Sequence, residues 1–158
     1  MGIDFSELKS ETLLFKAFFG ILLKKLLGTL DGKPTIINLN PANIIYDMEA
    51  FYFGLEKWLK EVEEKNGIAL LSFYKEADLL ANKHFKQHFS LYGTKMLFSD
   101  KFADKNFRKA LNITDEELYK VRSYDLSRRV FMLKQDQDTL MLSLQLDGLK
   151  EELEILCS

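Results

Sequence analysis

Residues Pro34–Leu39 read PTIINL and residues Ile68–Phe73 read IALLSF. Both runs have strand length and carry β-branched or large aliphatic side chains, and the second is apolar on both alternating faces. Pro41 cannot continue a central strand, so the first run stops near Leu39 or Asn40. Between the two, Asp47–Lys65 repeats with a helical period. Phe51, Leu55, Trp58, Leu59 and Val62 form an apolar stripe, and Glu56, Lys57, Lys60, Glu61 and Glu64 form the wet face. Asn66-Gly67 is the expected C-cap of this helix. Strand, helix and strand in this order predict a crossover unit with parallel strands.

Outward from this unit the same alternation continues. Gly2–Phe5 reads as a short strand. Glu11–Leu30 reads as one helix, apolar on most of its circumference and therefore covered on more than one side. Asp31-Gly32 is a turn. Lys75–Leu91 is helical with a break near Asn82, and Gly93–Phe98 is a third strand. Asp104–Leu111 is a short helix. Thr114-Asp-Glu-Glu117 is a capping box that starts another helix ending near Ser123. Val130–Lys134 and Leu140–Leu146 flank the polar stretch Gln135–Asp138, close enough to demand an antiparallel hairpin. Gly148–Leu156 reads as a last short helix.

The expected fold class is α/β. Its sheet is partly parallel, with strands at 34–39, 68–73 and 93–98 flanked by helices, and it ends in an antiparallel hairpin within 129–146. Residues 1–158 are read as a single domain. Leu22, Ile37, Leu55, Trp58, Leu70 and Leu97 are expected in the core.

Composition narrows the function. Two prolines and eight glycines in 158 residues leave no linker or low-complexity tail. Thirteen phenylalanines and six tyrosines supply an aromatic core. Lys and Arg total 22 against 24 Asp and Glu, and the net charge of -2 gives no direct nucleic-acid signal. A single cysteine, Cys157, rules out a disulfide within the chain. The most apolar stretch, Leu13–Leu27, is shorter than the roughly 20 residues of a spanning helix, and Lys16, Lys24 and Lys25 interrupt it.

The chemistry-bearing candidates are few. Gly28–Pro34 imitates a phosphate-binding loop. It is one residue short, has Pro34 where a hydroxyl belongs, and precedes a strand where the true loop follows one, so it reads as a turn. His84 and His88, the only histidines, are spaced i, i+4, which can place two imidazoles on one metal. Lys83 and Lys86 would repel a cation there, and no metal is assigned. Cys157 has no local partner for nucleophilic chemistry. Asp115, Glu116 and Glu117 sit at a helix N-terminus, where carboxylates favour the macrodipole. Arg128 and Arg129 are two of only four arginines. They offer bidentate forks for carboxylate or phosphate, with a surface salt bridge as the plainer reading. No complete active site emerges from the residues alone.

The ordered set of segments resembles the C-terminal part of the motor ATPases of bacterial type IV secretion and conjugative transfer. Residues 32–43, GKPTIINLNPAN, resemble a distorted Walker B strand, which in that family follows D-G-x-P and ends I-D-E-A-W. Trp58-Leu-Lys60 with Glu64-Lys-Asn-Gly67 is similar to W-L-K-x-x-R-K-K-N-G. Phe73–Asp78 falls on T-Q-S-P-E-D. Thr94–Phe98 with Ala103-Asp104 resembles T-Q-I-F-L-P-N-P-x-A-D, and Leu111–Glu117 resembles F-G-L-T-x-x-E. Ser127–Phe131 with Lys134-Gln135 resembles S-R-R-F-L-V-K-Q-G. Leu144–Leu149 with Glu152, Leu153 and Leu156 resembles the closing L-x-L-x-G-x-x-D-E-L-x-V-L-S. Gly2–Leu8 resembles G-F-D-M-T-E-L.

The resemblance implies the C-terminal half of a RecA-like P-loop NTPase, a fragment lacking its phosphate-binding loop. It implies a component of a type IV secretion system, peripheral to the cytoplasmic face of the bacterial inner membrane. Its partners would be other secretion subunits, in a homo- or hetero-oligomer. Three positions depart from the pattern. Asn40 stands where the Mg²⁺-associated Asp belongs, Pro41 where the catalytic Glu belongs, and Tyr74 where the family has Gln, a γ-phosphate sensor by position. These are degenerate nucleotide-site positions, and none is carried over as catalytic. Arg128 and Arg129 match the family and are expected at a subunit interface or on phosphate. The implied role is non-hydrolysing, in assembly or docking, with no cofactor in this chain. ATP and Mg²⁺ would belong to a longer protein carrying the loop. Two alternatives stay open: an active ATPase energising translocation or pilus assembly once joined to an upstream P-loop, and an unrelated α/β interaction module.

Overall fold

A computed structural model describes residues 13–74, 80, 82–124, 129–146 and 148–149. The chain divides into two compact units, Met1–His88 and Phe89–Ser158. The expected strand at Gly2–Phe5 and nearly all of the expected helix at Gly148–Leu156 lie outside the described residues.

The first unit opens with helix α1, Leu13–Thr29. Phe15, Phe19, Leu23 and Leu27 form its buried stripe, while Phe18 and Ile21 face outward. Strand β1, Thr35–Leu39, follows a turn in which the Asp31 carboxylate accepts from the Lys33 backbone N–H at 3.2 Å. Gly32 sits there at φ +86°, so the stretch that imitates a phosphate-binding loop is a turn, as read. A 3₁₀ segment, Ala42–Asp47, leads to the short helix α2, Glu49–Tyr52, and to α3, Leu55–Glu64. The single helix expected over 47–65 is therefore broken at Phe53-Gly54. Glycine is a poor helix interior residue. The stripe survives the break: Leu55, Trp58 and Val62 are buried, and the Phe51 ring meets Phe19 and Trp58 edge-on, both at 6.1 Å.

Asn66, at φ +59°, takes the left-handed position after α3 that was expected of the Asn-Gly pair. Gly67 instead begins strand β2, Gly67–Leu71. A Cβ at Gly67 would lie 2.8 Å from Val62 Cγ1 and 2.9 Å from the Val62 carbonyl oxygen, so α3 and β2 meet where only hydrogen fits. β1 and β2 pair in parallel from Thr35↔Gly67 to Leu39↔Leu71, as the crossover reading predicts. Ile37 is buried. Ile36 and Ile68, opposite one another, are 71% and 66% exposed. Leu70, expected in the core, shares their face and is exposed, so β2 is not covered on both sides among the described residues. Helix α4, Lys83–His88, closes the unit after the break at Asn82, whose side chain accepts from the His84 N–H at 2.9 Å.

The second unit holds strand β3, Thr94–Phe98, helices α5, Lys105–Leu111, and α6, Asp115–Ser123, and strands β4, Val130–Gln135, and β5, Asp138–Ser143. Here one expectation is corrected. β3 does not join β1 and β2 in a parallel sheet. It pairs antiparallel with β4, which pairs antiparallel with β5, in the order β3-β4-β5. The alternation of strands and helices along the chain does not set strand direction; the register with β4, from Thr94↔Gln135 to Phe98↔Phe131, does, with Lys95 and Leu97 half-buried and Thr94, Met96 and Phe98 exposed. Leu97 and Leu22, both expected in the core, are only half-buried. The β4–β5 hairpin forms as read, with Asp136 at φ +50° in its turn, although β5 begins and ends earlier than the expected 140–146.

Both short helices start as their sequences dictate. The Asp104 carboxylate accepts from the Asn106 and Phe107 N–H groups at 2.8 and 2.9 Å. The Thr114–Glu117 capping box is complete in both directions. Met132 on β4, Val121 on α6 and Phe107 and Leu111 on α5 are buried at the centre of this unit.

Candidate functional site

A parallel pair places the carboxyl ends of its strands side by side, and in open α/β sheets ligands bind in the crevice beyond those ends. β1 and β2 end in register at Leu39 and Leu71. Asn40 and Pro41 follow directly on one strand, and Ser72, Phe73 and Tyr74 on the other. Three positions that the sequence singled out are thus brought to the same end of one sheet. Asn40 and Pro41 are exposed, joined by a cis peptide bond, and Tyr74 is 55% exposed.

Hydrogen bonds close the gap between the two chain segments. The Ser72 N–H donates to the Leu39 carbonyl at 3.1 Å, and the Ala42 N–H donates to the Ser72 carbonyl at 2.7 Å. The Asn43 side chain completes the ladder. Its carbonyl accepts from the Tyr74 N–H at 3.0 Å, and its amide donates to the Tyr74 carbonyl. One side-chain amide therefore satisfies both main-chain groups of Tyr74, as a neighbouring strand would. Sequence reasoning missed Asn43 as a site residue. Its position just after Pro41, with a side chain able to donate and accept at once, was the available signal.

Among the described residues, the segments that leave the two strand ends are uncharged. Residues 38–46 and 72–74 contain no carboxylate and no cation. Mg²⁺ demands oxygen ligands of which one or two are normally carboxylates. Asn40 offers one neutral oxygen and Pro41 none, so these residues do not fit a Mg²⁺–nucleotide complex. Among the described residues no group of three or more His, Cys, Asp or Glu side chains could hold a metal.

The other candidates lie elsewhere. Arg128 falls outside the described residues. Arg129 is exposed in the second unit, at φ +48°, immediately before β4. Cys157 also falls outside. The His84 ring stacks on Tyr52 at 4.0 Å and 21°, and His88 lies 6.0 Å from Tyr46. The pair is thus part of an aromatic cluster. Burial and, next, the neighbouring His84 hold the His88 imidazole below its usual range. An open hollow of about 500 Å³ in the second unit is lined by Lys101, Leu118, Tyr119 and Arg122, with Asp115 already paired to Arg108 at 3.2 Å.

Glu117 is the unexpected residue. Read as part of an acidic N-terminal turn, it is only 7% exposed, as is Lys134. Its carboxylate accepts from Lys134 Nζ at 2.9 Å, from the Thr114 N–H at 2.7 Å and from the Thr139 hydroxyl. Burial pushes its pKa up. The bonds from Thr139, Lys134 and Thr114, with the Lys134 charge, outweigh this and bring it to about 2. This triad locks α6 to the inner face of the hairpin.

Among the described residues no helix is long and apolar enough to cross a membrane. No protein-family model matches the chain. The chain is 23% identical over 159 residues to the type IV secretion system protein virB4 of Bartonella quintana (strain Toulouse), an alignment covering 99% of this chain and 20% of that protein. The same identity and coverage relate it to the type IV secretion system protein virB4 of Bartonella henselae. The similarity is distant and runs end to end, and the chain spans about a fifth of the length of the curated relatives it matches.

Proposed function

We propose that this chain is a motor-like C-terminal segment of a type IV secretion ATPase whose nucleotide crevice has lost its chemistry, and that it serves assembly or docking within the secretion machine. The observation that carries the reading is the end-to-end similarity to virB4 proteins. The parallel β1–β2 pair supports a RecA-like origin, because it presents Asn40, Pro41 and Tyr74 where such a fold would hold nucleotide. The exposed Ile36, Ile68 and Leu70 support it too, since parallel strands normally carry cover on both faces.

The non-hydrolysing part of the reading rests on the uncharged segments at the strand ends. Phosphoryl transfer is catalysed by positioning and charge stabilisation, with metal and loop amides supplying most of both. Asn40, Pro41 and the amide-clamped Tyr74 supply neither. The system's other subunits are the proposed partners, and the cytoplasmic face of the inner membrane is the proposed location. The test is calorimetric titration of Mg²⁺–ATP into the chain, with phosphate release measured alongside. No saturable heat and no turnover are expected. A micromolar dissociation constant, or turnover with Asn40 and Pro41 unchanged, would contradict the reading.

A further inference from the structure

The hollow of the second unit lies between α6 and the loop that follows β3, and the chain itself fixes its walls. The Asp100 N–H donates to the Val121 carbonyl at 3.1 Å, and the Ser99 hydroxyl donates to the Tyr124 carbonyl. These two bonds pin the loop to the C-terminal end of α6. The Asp100 carboxylate accepts from the Phe102 N–H at 2.8 Å and holds the turn that carries Lys101. Lys101 and Arg122 thus line the hollow at that end. Neither has a hydrogen bond or an ion pair among the described residues. Nor is either needed to cap the helix. The Lys120 carbonyl already accepts from the Tyr124 N–H at 3.3 Å and the Ser123 hydroxyl at 3.1 Å, and the Val121 and Tyr124 carbonyls accept from the loop. Two unpaired cations therefore share one preformed concavity of about 500 Å³, within the size range of small-ligand pockets.

The rest of the hollow sets what kind of anion fits. Leu118 is buried and supplies an apolar floor, while Tyr119 is 71% exposed beside it. Phe102, next to Lys101, is 93% exposed. Arginine with exposed aromatic rings is the composition of interface hot spots. Tyr119 and Arg122 are about one turn apart, roughly 5 Å along the axis. That is the reach between side chains one or two positions apart on an extended peptide. The opposite end of the hollow is acidic. Asp115 lines it and Glu116 follows, already paired with Arg108 at 3.2 Å and Lys120 at 2.7 Å. A nucleic-acid backbone, with a charge on every unit, would run from the cations into these carboxylates. A ligand with one carboxylate and an aromatic neighbour needs only the Lys101–Arg122 end and the apolar floor.

We infer that this hollow binds an acidic peptide segment of a partner protein, its carboxylate on the Arg122 fork and Lys101 and its aromatic side chain over Leu118 and Tyr119. The inference does not depend on the secretion reading. The probes are short labelled peptides in a Gly-Ser frame, each with one Asp directly beside one Phe or one residue away, on either side. Fluorescence anisotropy with the whole chain should give saturable binding for at least one of them, with a dissociation constant below about 1 mM. Replacing the peptide's Asp by Asn, or its Phe by Ala, should weaken that binding at least tenfold. Arg122→Gln should weaken it about tenfold and Lys101→Gln several-fold, with unchanged circular dichroism spectra, since both side chains are exposed. Lys109→Gln, an exposed lysine outside the hollow, should change nothing. No saturable binding by any of the peptides overturns the inference. So does binding indifferent to the Asp-to-Asn exchange or to Arg122→Gln. A labelled oligothymidylate that binds as tightly as the best peptide overturns it as well, by assigning the hollow to a polyanion.

Discussion

Replacing Glu117 by Gln removes the charge from a carboxylate that holds three donors, and leaves Lys134 buried without a counter-charge. Breaking a buried pair by removing one partner costs about 3–5 kcal/mol, because the surviving charge has lost both water and partner. Urea unfolding at pH 7, followed by circular dichroism, should show the midpoint falling by about 1–5 M at an m-value of about 1–3 kcal/mol/M. Glu117→Leu combined with Lys134→Met should recover only part of the loss, since it removes the unpaired Lys134 charge but leaves the Thr114 N–H and the Thr139 hydroxyl without their acceptor. Acid gives an independent reading of the same group. The folded state holds the Glu117 pKa at about 2 against an ordinary 4.5. The unfolded chain therefore binds the proton more readily, so the stabilisation is complete above pH 4.5 and is lost as pH falls toward 2. The shift is worth about 3 kcal/mol. In Glu117→Gln this part of the acid dependence should vanish. A stability loss below about 0.5 kcal/mol, the size of an ordinary surface change, or an unaltered acid limb would refute the triad as the lock between α6 and the hairpin.

Other outcomes follow from local geometry. Gly67→Ala should destabilise by about 1–3 kcal/mol in thermal or urea unfolding, because the new methyl meets the Val62 carbonyl at 2.9 Å and backbone must shift. Asn43→Ala should cost about 1–2 kcal/mol by freeing both main-chain groups of Tyr74, and faster hydrogen exchange at the Tyr74 amide would localise the loss. Thr114→Ala should cost about 1 kcal/mol in the same assay, the usual value of an N-cap. His88, held neutral by burial and by His84, should make the fold less stable as pH falls through the unfolded value of about 6.5, a slope that His88→Phe removes.

Local signals in the sequence reported what local physics decides. The Thr114–Glu117 capping box, the Asp31-Gly32 turn, the β4–β5 hairpin and the parallel β1–β2 unit are each set by residues within one or two elements, and each was legible. Which strand β3 joins depends on partners some forty residues downstream. The alternation of strand and helix suggested a third parallel strand, but that order does not fix the partner, and β4 pairs with β3 antiparallel. Leu70 failed as a core residue because hydrophobicity marks a face that can be covered, not one that is. At the candidate site, Asn40, Pro41 and Tyr74 were placed together by their order along two strands. The role of Asn43 was passed over because an asparagine shortly after a proline reads first as a loop residue, although its side chain can donate and accept at once. Glu117 was hidden among three acids at one helix start, and only the fold distinguishes the one that faces inward.

The secretion reading is tested most directly by purifying the tagged chain from its own cells after membrane solubilisation, and identifying what accompanies it by mass spectrometry. The account predicts enrichment of type IV secretion subunits over an untagged control, in the presence or absence of nucleotide, because the uncharged strand ends offer nothing for ATP to switch. Recovery of the chain with no secretion subunit, or recovery of those subunits only when ATP is present, would contradict it.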